Sequence, residues 1–124
     1  MSRRIFIMKL TPDELLKLLS DPTRLRSLML LMTEGELCVC ELTCALGLIQ
    51  PKISRHLASL RDARVVIDQR AGQWVYYRIN PKLPDWAFEL LNATLKGMMQ
   101  NKQFKSDLEK LHNMSNRPDN QICA

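Results

Sequence analysis

The stretch PKISRHLASLRDA, residues 51–63, decides how the rest of the chain is interpreted. Its apolar residues recur at the intervals of one face of an α-helix, at Ile53, Leu57 and Leu60. Gln50 stands at the N-cap position and Pro51 at the first helical position, where the missing N–H is harmless. The opposite face is polar and basic. The spacing therefore predicts an amphipathic helix whose exposed face suits an anionic partner.

The periodicity changes directly after this helix. The runs VVIDQR (65–70) and QWVYYRI (73–79) are rich in β-branched and aromatic residues and are joined by Ala71-Gly72. Two such runs around a short turn predict a β-hairpin. Helical spacing resumes in DWAFELLNATLKGMM, residues 85–99, where Gly97 weakens the helix without ending it.

Three further helices are predicted before residue 50. Thr11 begins the first as an N-cap in a capping box with Glu14. Asp21 caps the second, which ends at Glu34-Gly35. A third, short helix fits Val39 to Leu46, with Gly47 as a C-terminal breaker.

This order of elements predicts a winged helix-turn-helix, mainly α with a β-hairpin wing (α+β). The third and fourth helices form the helix-turn-helix pair, and the second helix of such a pair enters the major groove of DNA. Residues 1–112 are predicted to be one DNA-binding and dimerisation domain. Residues 113–124 are polar and are predicted to be a flexible C-terminal tail.

The exposed face of the fourth helix and the hairpin turn carry donors suited to base edges and phosphates. The formal net charge of +5 and the pI of about 9.2 agree with a nucleic-acid partner. A solvated basic helix face is the alternative that the charges alone would allow. The predicted DNA-binding residues are Gln50, Lys52, Ser54, Arg55, His56 and Ser59 on the helix, with Arg70 and Gln73 at the hairpin turn.

The segment ELCVCELTCAL, residues 36–46, places Cys38, Cys40 and Cys44 close together. A buried apolar patch, a disulfide, a catalytic thiol and a metal site are all possible for such a cluster. The sequence contains neither a signal peptide nor an apolar stretch long enough to span a membrane, which predicts a cytoplasmic protein with reduced thiols. Three clustered sulfurs suit a thiophilic ion such as trivalent arsenic or antimony. Cys123 lies in the predicted tail and is expected to have no part in this site.

The helical positions of the three thiols suggest how an ion would act. Cys40 and Cys44 share a face, whereas Cys38 in a continued helix would point about 200° away from Cys40. The three sulfurs can meet on one ion only if the chain around Cys38 is not regular helix. Ion binding is therefore expected to distort the first turn of the third helix. That helix adjoins the fourth helix, which is predicted to enter the major groove and is called the DNA-reading helix below.

Three segments resemble the ArsR/SmtB family of metal-responsive repressors, specifically its arsenic-responsive branch. They are LSDPTRLRSLMLL (19–31), ELCVCEL (36–42) and QPKISRHLASLRDARVV (50–66). The resemblance implies a homodimer formed by the first and last helices. It also implies that the dimer binds operator DNA of an arsenic-resistance operon and is released by arsenite or antimonite, with no cofactor required and no membrane partner.

The chain departs from the family pattern at the third thiol, because Thr43 stands where well-known members have cysteine and Cys44 follows. The family's cadmium and lead sensors use additional N-terminal cysteines, and residues 1–37 contain none. Its zinc sensors use Asp and His pairs on the last helix, and in that C-terminal region this chain has only His112. Two alternatives stay open: the same fold sensing oxidation or another thiophilic ion, and a thiol-dependent reductase.

Overall fold

The computed structural model describes residues 9–114, which form a winged helix-turn-helix. The predicted order of helices and hairpin is confirmed within this range. No helix in residues 9–114 is both long and apolar enough to cross a membrane. The elements are α1 (Pro12–Leu19), α2 (Pro22–Glu34), β1 (Glu36–Cys38), α3 (Val39–Leu46), α4 (Gln50–Asp62), β2 (Val66–Ala71), β3 (Trp74–Ile79), α5 (Asp85–Met98) and α6 (Lys102–His112).

The caps that define α1 and α2 are those expected from the sequence. Thr11 and Glu14 form a reciprocal capping box, and the Asp21 carboxylate accepts hydrogen bonds from two backbone N–H groups of α2. At α4 the prediction is wrong by one residue. Ile49 is the N-cap, in extended conformation, so that Gln50 is already helical. The Ile49 carbonyl accepts the first backbone hydrogen bonds of the helix.

Strand β1 was not predicted from the sequence. It pairs antiparallel with β3, so the sheet has the order β1-β3-β2 and places Cys38 opposite Tyr76. Three residues are too few to show the alternation by which a strand is recognised in a sequence. The pairing attaches the cysteine segment directly to the wing.

A second difference lies after α5. The sequence predicted one helix there, but α5 ends at Met98 and a separate helix, α6, begins at Lys102. The Asn101 side chain caps α6 by accepting a hydrogen bond from the Phe104 N–H. The predicted domain end at residue 112 coincides with the end of α6. Most of the predicted tail, including Cys123, lies outside the described residues.

Helix α6 packs on α2 and α3 of its own protomer through Phe104 and Leu111, which are fully buried. Between them, the fully buried Asp107 carboxylate accepts two hydrogen bonds of 2.8 Å from the Arg26 guanidinium of α2. The same guanidinium donates to the Leu46 carbonyl at the end of α3. The Arg26 side chain therefore joins two helices to its own helix α2, namely α6 through the ion pair and α3 through the hydrogen bond to Leu46.

Candidate DNA interface and thiol cluster

The polar face of α4 is partly exposed to solvent, and its apolar face is buried. Ile53, Leu57 and Leu60 are fully buried in the core. This burial fixes which side of α4 faces outward. Among the predicted DNA-binding residues of the helix, Gln50, Arg55 and Ser59 are exposed, while Lys52 and Ser54 are half-buried.

His56 differs from the other predicted DNA-binding residues of α4 because its ring packs against the protein. Its side chain is only 12% exposed. Its Nδ1 lies 3.3 Å from Nη1 of Arg24 and 3.9 Å from Oδ1 of Asp21. An arginine can only donate, so Nδ1 accepts and the neutral ring carries its hydrogen on Nε2.

Arg24 continues this contact to α1. Its guanidinium donates to the carbonyls of Leu18 (2.8 Å) and Lys17 (3.3 Å). The chain of contacts from α1 through Arg24 to His56 holds α4 in orientation. This placement favours a supporting role for His56 over the predicted contact with a base edge.

We expect His56 to make folding stability pH-dependent. Burial lowers the pKa of His56 below 6.5, and the Arg24, Arg55 and Lys52 charges lower it further, against an opposing effect of Asp21. As the pH falls, His56 therefore takes up a proton in the unfolded chain before it does so in the folded chain. The contribution of His56 to folding stability is complete above pH 6.5 and is lost as the pH falls through the folded-state pKa. Urea unfolding of the parent and His56→Gln at pH 7.5 and 5.5 measures this. The parent should lose stability relative to the variant at the lower pH, and parallel changes in both would contradict the assignment.

The hairpin prediction is confirmed, with its turn one residue later than expected. Strand β2 continues to Ala71 and β3 begins at Trp74, so Gly72 and Gln73 form the turn. Gly72 has a φ of +63°, a left-handed conformation that glycine adopts without strain. Arg70 and Gln73 are both exposed at this tip. The wing can therefore present them to a phosphate backbone or a groove.

The thiols of Cys38 and Cys40 are already adjacent, with 2.9 Å between their sulfur atoms. Cys38 is the N-cap of α3 and has extended rather than helical backbone angles. Its Sγ accepts from the Cys40 N–H at 3.4 Å, and its own N–H donates to Oε1 of Glu41 at 2.7 Å. The predicted condition that the chain around Cys38 is not regular helix is met, because Cys38 is the last residue of β1. Distortion of the first turn of α3 when an ion binds all three sulfurs stays a prediction.

The third predicted ligand is not in place. Cys44 lies one turn further along α3 and is exposed, whereas Cys38 is buried and Cys40 half-buried. Within residues 9–114, no three His, Cys, Asp or Glu side chains are grouped closely enough to hold a metal ion. The Thr43 hydroxyl donates to the Val39 carbonyl of its own helix. The structure thus brings together two of the three predicted sulfurs.

The comparison with known proteins decides the family. The chain is 53% identical over 110 residues to an arsenic resistance transcriptional regulator of Pseudomonas putida, an alignment that covers 88% of this chain and 93% of the relative. Residues 21–68 match the model of the bacterial regulatory proteins of the arsR family. The chain belongs to the arsR family. This ArsR-family protein is a DNA-binding transcriptional repressor and not an enzyme, which removes the reductase alternative.

Two further relatives agree with this assignment. The arsenical resistance operon repressor of Escherichia coli is 49% identical over 83 residues, covering 67% of this chain and 71% of that protein. Among solved structures, the AntR antimony-specific transcriptional repressor has a TM-score of 0.59 and 31% identity, covering 77% of this chain and 88% of that one. The winged helix-turn-helix is thus shared with ArsR-family repressors.

Reasoning from the sequence missed two residues that shape this site. Glu41 caps the Cys38 N–H, and the three-residue separation of a cap and a glutamate is the capping-box spacing that could have revealed it. Arg24 supports His56 from 32 residues away in the chain. A contact so distant in sequence has no local signal.

Proposed function

We propose that this protein represses an arsenic-resistance operon in the bacterial cytoplasm and leaves its operator when arsenite or antimonite binds Cys38, Cys40 and Cys44. The observation that carries the proposal is the pair of sulfurs 2.9 Å apart at the start of α3, the helix that precedes the DNA-reading helix. The relatives named for arsenic resistance and the antimony-specific structural neighbour support the choice of ion.

The donor set suits a trivalent ion with three sulfur ligands. Soft thiolates select thiophilic ions over hard cations. Cys38 and Cys40 supply two adjacent sulfurs, and the exposed Cys44 follows one helical turn after Cys40. A movement of the Cys44 side chain or of α3 brings the third sulfur to the ion and completes the set of three ligands. DNA binding itself requires no cofactor in this proposal.

Two structural connections can transmit ion binding to the DNA-binding surface. Cys38 is the last residue of β1 and pairs with Tyr76 of the wing strand β3. Helix α3 packs directly against α4. The Cys38 sulfur accepts a hydrogen bond from the Cys40 N–H and so caps α3. An ion that binds this sulfur weakens that hydrogen bond and loosens the cap. The wing and the reading helix are therefore both affected by one site.

We further propose that the protein binds DNA as a homodimer through α1 and α5. Leu16 of α1 is 55% exposed and Met99 at the end of α5 is 48% exposed, and both are large apolar residues. The family resemblance implied dimerisation through the first and last helices. Because α6 packs within its own protomer, the helix that corresponds to the predicted last one is α5. Light scattering at DNA-binding concentrations tests the dimer, and a monomer would contradict it.

A gel-shift titration on the DNA upstream of the gene tests the function. The reduced protein should bind this DNA tightly, and arsenite or antimonite should release it. Zinc and peroxide arms test the open alternative of another signal. Release by peroxide alone, without response to arsenite, would favour oxidation sensing by the same fold.

Mutation should distinguish two kinds of DNA contact on the basic face of α4, one from the exposed Arg55 and one from the half-buried Lys52. Arg55→Ala should weaken operator binding about 10-fold or more while changing non-specific binding less, because a lost base contact costs about 1–3 kcal/mol. Lys52→Ala should weaken binding to all sequences and reduce the salt-dependence slope by about one. Fluorescence anisotropy at several salt concentrations measures both effects. Lys105→Ala on the exposed face of α6 is the charge-matched control. Equal losses for Arg55→Ala on operator and random DNA would contradict base reading.

A further inference from the structure

Ile49 is an unusual residue for its position. Among the described residues, three large apolar side chains are exposed, and Ile49 at 69% is the most exposed of them. The other two, Leu16 and Met99, lie on the surface proposed for the dimer. Ile49 instead lies in the turn between α3 and α4, at the start of the DNA-reading helix.

Isoleucine is also a poor residue for the start of a helix. Ile49 is the N-cap of α4, with φ −72° and ψ 148°, and its aliphatic side chain cannot accept a hydrogen bond from the first turn. Thr11, Asp21 and Asn101 cap α1, α2 and α6 through their side chains, whereas α5, which follows Pro84, shares with α4 the lack of a side-chain cap. The turn at residue 49 therefore gives up both a favourable cap and the burial of a large apolar side chain.

Both costs are offset if the side chain is buried against DNA. In a helix-turn-helix, the N-terminal residues of the second helix contact base edges in the major groove. Ile49 precedes Gln50, the exposed first residue of that helix. The apolar feature of the major groove is the C5 methyl group of thymine. A branched aliphatic side chain complements that methyl group better than it complements the hydrogen-bonding groups of the major groove.

We propose that Ile49 contacts a thymine methyl group in each operator half-site and contributes to sequence preference. This inference rests on the proposed binding of operator DNA. Loss of the contact should weaken binding by about 3- to 10-fold, the effect expected from burying about one methyl group. Ile49→Ser should at the same time raise the melting temperature, because serine is a good N-cap.

The test combines protein and DNA substitutions. Each thymine of the operator is replaced in turn by uracil, which lacks only the C5 methyl group. The parent protein should lose about 3- to 10-fold in affinity at one position per half-site. Ile49→Ser should bind the thymine operator with the same loss and be insensitive to uracil at that position. Ile49→Val, which keeps the branched shape, should remain sensitive.

The outcomes separate this inference from the proposed function. If Ile49→Ser binds the operator as tightly as the parent, the contact is excluded. If it loses affinity but remains as sensitive to uracil as the parent at every position, the thymine contact is likewise excluded. Failure of the parent protein to bind any upstream DNA would overturn the proposed function and this inference together.

Discussion

Asp107→Ala is expected to lower the free energy of unfolding by about 3–5 kcal/mol, because it leaves the largely buried Arg26 guanidinium without its carboxylate partner. The Asp107 side chain is 0% exposed and that of Arg26 is 16% exposed, so water screens the pair little. A loss of this size is a large part of the roughly 5–15 kcal/mol that stabilises a domain. Urea denaturation monitored by tryptophan fluorescence measures it.

Two control variants distinguish the ion pair from general damage to α6. Glu109→Ala removes an exposed carboxylate of the same helix and should change stability by less than about 0.5 kcal/mol. The double variant Arg26→Met/Asp107→Leu removes both charges and should recover most of the loss, since apolar replacement of a buried pair is often neutral. A double variant as unstable as Asp107→Ala would show that packing, rather than the unpaired charge, dominates.

Cys38→Ser and Cys40→Ser are expected to keep operator binding and to lose release by arsenite. Neither thiol is proposed to contact DNA, and serine at position 38 is a stronger N-cap than cysteine, so α3 should stay folded. Each variant lacks one of the two adjacent sulfurs. The arsenite concentration for half-release should rise by more than roughly 100-fold, because loss of even an outer-shell partner of a metal site costs 10–100-fold.

Cys44→Ser should show a graded effect on the same response. It should bind arsenite more weakly and still release DNA at a higher concentration, because Cys38 and Cys40 remain adjacent. Thr43→Ala is the neighbouring control, since its hydroxyl is used within α3. X-ray absorption at the arsenic edge should count three sulfurs in the parent and two in Cys44→Ser. Three sulfurs in both would exclude Cys44, and loss of operator binding by Cys38→Ser without any ion would make the thiols structural.

Much of the fold is encoded in local patterns, so that an element can be predicted from its own residues. Thr11 and Asp21 can cap a helix through their own side chains, so the starts of α1 and α2 are visible in the sequence. The apolar periodicity of α4 predicts its buried face, because that face follows from helix geometry alone. The hairpin and the clustering of the three thiols can likewise be predicted from residues that are neighbours in the sequence.

Tertiary contacts decided what those elements do together. Strand β1 exists because β3 supplies its backbone partners, and that strand holds Cys38 in the extended conformation that brings its sulfur to Cys40. His56 has the spacing of an exposed residue, but Arg24 and Asp21 cover it.

The order of α1 to α5 is visible in the sequence, but neither the separate helix α6 nor its docking was predicted from it. The docking depends on the ion pair between Arg26 and Asp107, which are 81 residues apart in the chain. Local propensity and periodicity act over a few residues. Burial and pairing depend on which distant surfaces meet, and only the folded chain specifies that.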